Sequence, residues 1–123
     1  MSFIVGDTFW IKNPSSKNVR HLYFAIADGT TTGGRILLVN MSKVKEGNDT
    51  SCILKVGEHT AVTHESTIKY HEALLANPTD LASGIRMGVI TSGDKATPNL
   101  VQKIQEGAKK SPFLRQEYKR FIP

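Results

Sequence analysis

The stretch "HLYFAIADGTTTGGRILLVNMS", residues 21 to 42, contains two apolar runs separated by a turn rich in glycine. The runs from His21 to Asp28 and from Arg35 to Ser42 are short, which favours strands over helices. The glycines of "DGTTTGG" between them permit the positive φ angles that a hairpin connection requires. The stretch therefore predicts two adjacent strands.

Three further segments extend the series of strands. "DTFWIKN" (Asp7 to Asn13) precedes the hairpin and is followed by the turn cluster "NPSSKN", while "CILKV" (Cys52 to Val56) is followed by a "GEH" turn. The segment "STIKYHEALL" (Ser66 to Leu75) also fits a helical face, but its β-branched start favours a fifth strand.

The last third of the chain predicts helices. "LASGIRMG" is a helical turn that Thr79 or Asp80 would cap and Gly88 would end. A clearer helix begins at Pro98, with Thr97 or Asp94 as its cap. Its apolar stripe is Leu100, Val101, Ile104 and Ala108. A second short helix begins at Pro112, and its apolar members are Phe113, Leu114, Tyr118, Phe121 and Ile122. So much apolar surface predicts that this segment docks on the sheet of its own chain.

These elements fit one small domain. A chain of 123 residues with 39% hydrophobic residues can bury a single core but hardly two. Residues 1–76 are mainly strands and residues 78–123 mainly helical. We predict an α+β fold in which a small, strongly bent antiparallel sheet with a barrel-like core is covered by C-terminal helices.

Charge and cysteine content narrow the classes of function. The net charge of +5 favours polyanionic partners. The one cysteine, Cys52, excludes an internal disulfide framework and a cysteine-based zinc site. Residues 1 to 20 lack the apolar run of a signal peptide, and no stretch approaches the roughly 20 apolar residues of a membrane span. We therefore expect a cytoplasmic protein that does not contact membranes.

Several local strings resemble the PemK and MazF family of toxins, over residues 6 to about 108. They are "GDTFWIKN" near the start, "RHLYFAIAD" in the second strand, "ILLVNMS" in the third and "GEHTAVTHESTIKY" at a turn and further strand. The helix from Pro98 resembles the family's terminal helix. The resemblance implies an SH3-like barrel, endoribonuclease activity, an antitoxin protein as partner and a homodimer.

The resemblance also implies site residues. Cleavage in the family is attributed to an Arg that begins the second strand and to a Ser or Thr that ends the third, which correspond to Arg20 or His21 and to Ser42. In the family that Arg is usually followed by Pro, whereas Arg20 is followed by His21 and Leu22. The segment after Ser111 and the density of histidines have no counterpart in the family pattern.

The stretch "GEHTAVTHESTIKYHEA", residues 57 to 73, contains three of the four histidines. Metal-free RNA cleavage needs a group that accepts the 2′-hydroxyl proton, a group that protonates the leaving oxygen and a cation for the phosphate, and histidine suits the proton transfers. On a strand, His64 and Ser66 would share a face that continues to Ile68 and Tyr70. His59, in the preceding turn, would reach the same place.

Structural roles compete with these assignments. His59 is in a turn, Ser66 has backbone groups within reach, and Tyr70 suits packing with its hydroxyl in contact with water. The spacing of His59 and His64 does not suit one helical face, so we predict no metal site. The sequence has no Gly-x-x-x-x-Gly-Lys loop for nucleotide phosphates, and we predict no cofactor. The leading hypothesis is a metal-independent endoribonuclease toxin with RNA as substrate. The alternatives are a non-catalytic SH3-like module that binds RNA or a protein, and a nuclease relative without activity.

Overall fold

The computed structural model describes residues 2–12, 19–29 and 32–123. Within these ranges the fold is α+β, with one six-stranded antiparallel sheet and three helices. The strands are β1 (Thr8–Lys12), β2 (Arg20–Ala27), β3 (Ile36–Lys43), β4 (Ile53–Leu54), β5 (Ser66–Ala76) and β6 (Thr91–Ser92). The helices are α1 (Pro78–Arg86), α2 (Pro98–Lys110) and α3 (Gln116–Lys119). The order of strands in the sheet is β4-β5-β3-β2-β1-β6.

The predicted hairpin of β2 and β3 is confirmed and lies at the centre of the sheet. Tyr23 pairs with Asn40, and the register shifts between Ala25 and Ala27. Gly33 and Gly34 adopt φ angles of 67° and 92° in the connection, a region that favours glycine. The turn predicted for "NPSSKN" and part of that for "DGTTTGG" lie outside the described residues.

Both faces of this hairpin are buried. Alternate side chains of each strand point to opposite faces. On one face, Leu22, Phe24 and Val39 belong to a large cluster that Leu100 and Ile104 of α2 cover. The side chains on the other face belong to a second cluster, which includes Leu81 of α1. Residues 22–27 of β2 are buried without interruption, as expected for a strand covered on both sides.

The segment that fitted either a strand or a helix is a strand. β5 pairs with β3, and the register moves from Leu38↔Leu74 to Asn40↔Lys69 across an irregularity. Residues 70–73 of β5 lie there opposite the single residue Val39 of β3, without regular pairing, which breaks the simple alternation in the second half of β5. This explains why the spacing of apolar residues in the sequence was ambiguous.

The start of α1 differs from the prediction. Asn77, not Thr79 or Asp80, is its N-cap, and the Asn77 side chain accepts a hydrogen bond from Thr79 N at 2.8 Å. Asparagine is a strong cap because its short side chain reaches backbone N–H groups that have no partner in the first turn. The end is confirmed, because Gly88 follows the helix with a φ of 78°.

The start of α2 is confirmed. Thr97 is the N-cap and its hydroxyl accepts from Leu100 N at 3.2 Å, with Pro98 in the first turn. The predicted apolar stripe is buried in full.

Strand β6 was not predicted from the sequence. It pairs with β1 through Phe9↔Ser92 and Trp10↔Thr91, and it forms one edge of the sheet, with β4 at the other. β6 lies in the part of the chain that we expected to be mainly helical. Its two residues are exposed and polar, so no hydrophobic pattern marks it in the sequence.

The loops next to the two edge strands are joined by hydrogen bonds. His59 Nε2 lies 2.8 Å from the carbonyl oxygen of Asp94, and the Thr60 hydroxyl donates to the Asp94 carboxylate at 2.6 Å. The loop after β4 is thereby fixed to the segment after β6, and the two edges of the sheet are linked by side chains.

The segment after Ser111 docks on its own chain, as its apolar content predicted. Leu114 and Ile122 are buried in the large cluster, and Tyr118 and Phe121 pack against it. The predicted helix from Pro112 is wrong in length, because α3 spans only Gln116–Lys119.

Asp49, in the loop between β3 and β4, holds this docked segment in place. Its carboxylate accepts hydrogen bonds from the Ser111 hydroxyl at 2.5 Å and from the Ser51 N–H and hydroxyl at 2.9 and 2.6 Å. Burial alone would raise the pKa of Asp49, but the hydrogen bonds from Ser111 and Ser51 outweigh it and the pKa lies below its usual value.

Deletion of residues 111 to 123 should lower the melting temperature of the purified protein at every protein concentration. The reason is that the burial of Leu114 and Ile122 contributes roughly 1.5 to 3 kcal/mol for each side chain before entropy is counted. Thermal unfolding measured over a range of concentrations checks this. An unchanged melting temperature together with the loss of a dimer in sedimentation would show that the segment serves association instead.

Asp49→Asn should lower the free energy of unfolding near neutral pH by about 1 to 3 kcal/mol, because charge-assisted hydrogen bonds are lost. The carboxyl group has a lower pKa in the folded chain than its usual 3.8. Its contribution is therefore complete at pH values well above 3.8 and is lost as the pH falls through the lowered pKa.

Urea unfolding at a series of pH values measures both effects. The difference between the native protein and Asp49→Asn should shrink as the solution is acidified. Glu46→Gln is the matched control, because it removes an exposed carboxylate from the same loop and should change little. A difference that stays constant down to strongly acidic pH would show that the charge of Asp49 does not stabilise the fold.

Candidate active site

A pocket of about 320 Å³ lies at one end of the sheet, where β2 begins, β3 ends and β5 begins. Five of the seven residues predicted for the site line it: Arg20, His21, Ser42, His64 and Ser66. Trp10 and Lys43 also line it, and Leu22 and Met41 supply apolar surface from the adjoining core. The pocket therefore forms where the buried centre of the hairpin gives way to charged residues at the strand ends.

Arg20 extends across the sheet beside this pocket. It pairs with Lys12 of β1, and its Nη1 donates to the Thr91 hydroxyl of β6 at 2.9 Å. Since β1 lies between β2 and β6, this bond carries the guanidinium side chain over β1, next to Trp10. The group remains exposed to solvent, so its positive charge is accessible to a ligand.

Strand alternation divides the basic and hydroxyl groups between two faces. Lys43 pairs with Ser66, and by strand alternation Lys43 and Arg20 lie on the face of the sheet that carries the large core cluster. His21 and Ser42 lie on the opposite face, and His21 Nδ1 lies 3.4 Å from the carbonyl oxygen of Met41. His21 and Ser42 thus contribute to the pocket wall, but their side chains belong to the other face of the sheet.

His64 lies just before β5, so the prediction that it shares a strand face with Ser66 is wrong. It is exposed in the loop, and its Nδ1 lies 3.2 Å from the Thr63 hydroxyl. Ser66 is buried, and its hydroxyl donates to the carbonyl oxygen of His64 at 3.0 Å. Ser66 therefore fixes the loop that presents the imidazole to the pocket.

His59 does not line the pocket. It is buried, its Nδ1 accepts from Ala61 N at 3.0 Å, and its Nε2 donates to the Asp94 carbonyl at 2.8 Å. Its ring contacts Phe24 edge-on, with centroids 5.5 Å apart. Both ring nitrogens form hydrogen bonds that hold loops together. His59 therefore has a structural role, the alternative to catalysis for this turn residue.

Tyr70 is also outside the pocket. It is 1% exposed, and its hydroxyl donates to the carbonyl oxygen of Ile104 in α2 at 2.7 Å. Burial raises the pKa of Tyr70 far above its usual range, with a further contribution from Cys52. Burial likewise raises the pKa of the Cys52 thiol to about 11. Tyr70 anchors α2 to the sheet, and Ile68 on the same face is core.

Trp10 and Lys43, which add an indole and a cation to the pocket, are not predicted as site residues from the sequence. Trp10 is predicted only as part of an aromatic strand, and Lys43 follows the predicted Ser42 by one position. The signal for Lys43 in the sequence is its place at the polar end of an apolar strand. Its position beside Glu65 and Ser66, which are far from it in the sequence, follows only from the pairing of β3 with β5. Trp10 could be placed only once β1 was known to pair with both β2 and β6.

The described ranges contain neither a metal-binding cluster nor a helix that could span a membrane. Three or more His, Cys, Asp or Glu side chains do not come together in residues 2–12, 19–29 and 32–123 in a way that would hold a metal ion. In the same part of the chain, the helices are too short or too polar to cross a membrane.

Comparison with known proteins finds a similarity to a curated protein. The chain is 31% identical over 95 residues to a porphobilinogen deaminase of Prochlorococcus marinus (strain MIT 9312), which corresponds to 77% of this chain and 29% of that protein. The chain thus spans less than a third of the length of the curated relative it matches. No protein-family model and no solved structure matches the chain.

Proposed function

We propose that this protein is a metal-independent endoribonuclease that acts as the toxin of a toxin-antitoxin pair. The observation that carries the proposal is the pocket in which the imidazole of His64 lies with the cations Arg20 and Lys43. An imidazole, which can act as a general base, beside fixed positive charge suits cleavage of an RNA phosphodiester. The net charge of +5 adds attraction for a polyanion.

The reaction requires only the RNA, the pocket and solvent water. The 2′-oxygen attacks the adjacent phosphorus, and His64 accepts the 2′-hydroxyl proton through Nε2, since Nδ1 faces the Thr63 hydroxyl. The bond from phosphorus to the 5′-oxygen breaks, and that oxygen takes up a proton from a water molecule at the open pocket. The hydroxide that is left takes the proton from the His64 imidazolium, which restores the neutral ring. The products are a 2′,3′-cyclic phosphate and a free 5′-hydroxyl. Arg20 and Lys43 hold the negative charge on the other phosphate oxygens.

The family resemblance implied Arg20 or His21 as the basic residue, and strand alternation favours Arg20. His21 and Ser42 have the parity of the opposite face, so we assign them to the pocket wall. Ser66 is a positioning residue, because its hydroxyl bonds to the backbone of His64. His59 and Tyr70 stabilise the fold around the site and do not take part in the reaction.

The SH3-like barrel belongs to the same proposal. The links from His59 and Thr60 to Asp94 join the two edges of the sheet, and this supports a barrel-like closure by side chains where strand pairing is absent. The toxin assignment also includes a cytoplasmic location, an antitoxin protein and a homodimer as expectations. Expression in a bacterial host tests it, since growth should stop unless the antitoxin is supplied.

The non-catalytic alternative also has support in the geometry. The family resemblance pairs Ser42 with an Arg in cleavage. By strand alternation, however, the side chain of Ser42 lies on the face opposite to that of Arg20 and Lys43. A module that binds RNA or a protein through Arg20 and Lys43 would need no such hydroxyl.

The similarity to the protein from Prochlorococcus marinus covers 29% of that protein, which is too little to support its activity for this chain.

RNA cleavage should persist in excess chelator and should leave 2′,3′-cyclic phosphate ends. The physical reason is that the 2′-hydroxyl is the nucleophile, so no metal-activated water is needed. Incubation of the purified protein with total RNA, with and without chelator, followed by analysis of the ends, measures this. Activity that disappears with chelator and returns with a divalent ion would contradict the mechanism.

His64→Ala should reduce the cleavage rate by about 10² to 10⁴-fold, the usual contribution of general acid or base catalysis. The matched control is His71→Ala, which removes another exposed histidine that lies against Phe113, away from the pocket. Ser42→Ala tests the residue implied by the resemblance and should have a smaller effect. If His64→Ala cleaves RNA at the native rate, the site is wrong and the binding module is favoured.

A further inference from the structure

Trp10 is an aromatic group in the pocket to which the cleavage reaction gives no role. It is the one tryptophan of the chain and lies half-buried on β1, between Leu22 of β2 and Thr91 of β6. The apolar core does not enclose it, although it packs against that core. A half-buried indole beside two cations suits a ligand with an aromatic face.

The indole is held firmly at one edge. A Cβ built on Gly93 would lie 3.4 Å from Trp10 Nε1, 3.1 Å from Leu22 Cδ1 and 2.6 Å from the Thr8 hydroxyl. The backbone of Gly93 therefore passes directly against the ring, where a larger residue would displace these groups. Leu22 lies opposite Trp10 on the neighbouring strand. Packing on this edge limits the motion of the ring before a ligand arrives, which lowers the entropic cost of binding.

Positive charge adjoins the indole on the same face. Arg20 is a diagonal neighbour of Trp10 across β1 and β2, and its bond to Thr91 carries it past the ring. Lys43 lies on the far side of the pocket, at the end of β3. A flat aromatic surface next to two cations matches a nucleotide, whose base stacks and whose phosphate is anionic.

We propose that Trp10 is the stacking platform for a nucleobase next to the scissile phosphate, with Arg20 and Lys43 binding the flanking phosphates. The choice of RNA as the ligand rests on the proposed function. Stacking itself requires an unpaired base, because a base within a duplex already has both faces covered. The pocket therefore selects single strands over duplexes, and it does so through Trp10 and not through the groups that break the bond.

The fluorescence of the single tryptophan reports stacking directly. The probe is a single-stranded DNA oligonucleotide, which lacks the 2′-hydroxyl and cannot be cleaved by the proposed reaction. Its addition should quench the fluorescence in a saturable manner. An abasic oligomer of equal length and charge should bind more weakly and quench little, and a duplex of the same sequence should quench less than the single strand.

Affinity for the same oligonucleotide, measured by anisotropy of a labelled strand, should fall about 5- to 150-fold in Trp10→Leu. This corresponds to the roughly 1 to 3 kcal/mol of stacking per base, at about 1.4 kcal/mol per tenfold. Trp10→Phe retains an aromatic face and should recover most of the affinity. Phe113→Leu is the matched control, because Phe113 is an exposed aromatic outside this pocket.

Equal quenching by abasic and normal strands, or unchanged affinity in Trp10→Leu, would overturn the proposal. The readout is independent of cleavage. Stacking on DNA without any RNA cleavage would support the stacking role of Trp10 and contradict the nuclease. Cleavage of RNA without quenching would support the nuclease and contradict the stacking role. Melting temperatures of the variants show whether each remains folded, and the comparison of normal with abasic strands on the native protein keeps the test valid if Trp10→Leu does not fold.

Discussion

The burial of the β2–β3 hairpin on both faces is the constraint on which the rest of the structure depends. Residues 22–27 of β2 and 36–41 of β3 are buried, so apolar side chains point in both directions from the middle of the sheet. A sheet of this kind needs a cover on each side. α2 supplies it on one face and α1 on the other, and each helix presents one apolar stripe because only one of its sides meets the sheet.

Polar side chains fix the connections that hydrophobic burial leaves undetermined. Asp49 joins the β3–β4 loop to the segment at Ser111, His59 joins the loop after β4 to Asp94, and Tyr70 joins β5 to α2. Each of these bonds links residues that are more than 30 positions apart. A buried or half-buried polar group that has lost water must find such a partner. Two residues predicted as catalytic, His59 and Tyr70, are used in this way.

The pocket lies where the double-sided burial of the hairpin ends. Arg20 and Lys43 are the terminal residues of β2 and β3, so their charges reach water while their strands remain anchored in the core. The loop before β5 brings His64 to the same place, and Trp10 comes from β1. A rigid core with charged ends is a suitable support for a site, because the strands hold the groups in fixed relation. The proposed chemistry and the proposed base stacking both depend on this placement.

The sequence by itself determined the local elements. Apolar runs of strand length, glycines at the hairpin, and the Thr97-Pro98 start of α2 express preferences of neighbouring residues, and they predicted five strands, the main helix and the docking of the last segment. Five of seven predicted site residues line one pocket. The tertiary structure alone decided the pairing of β6, the place of Trp10 and Lys43, and the division of Arg20 from His21 and Ser42 between two faces. These depend on strand register and on contacts between distant segments, which leave no periodic signal in the chain.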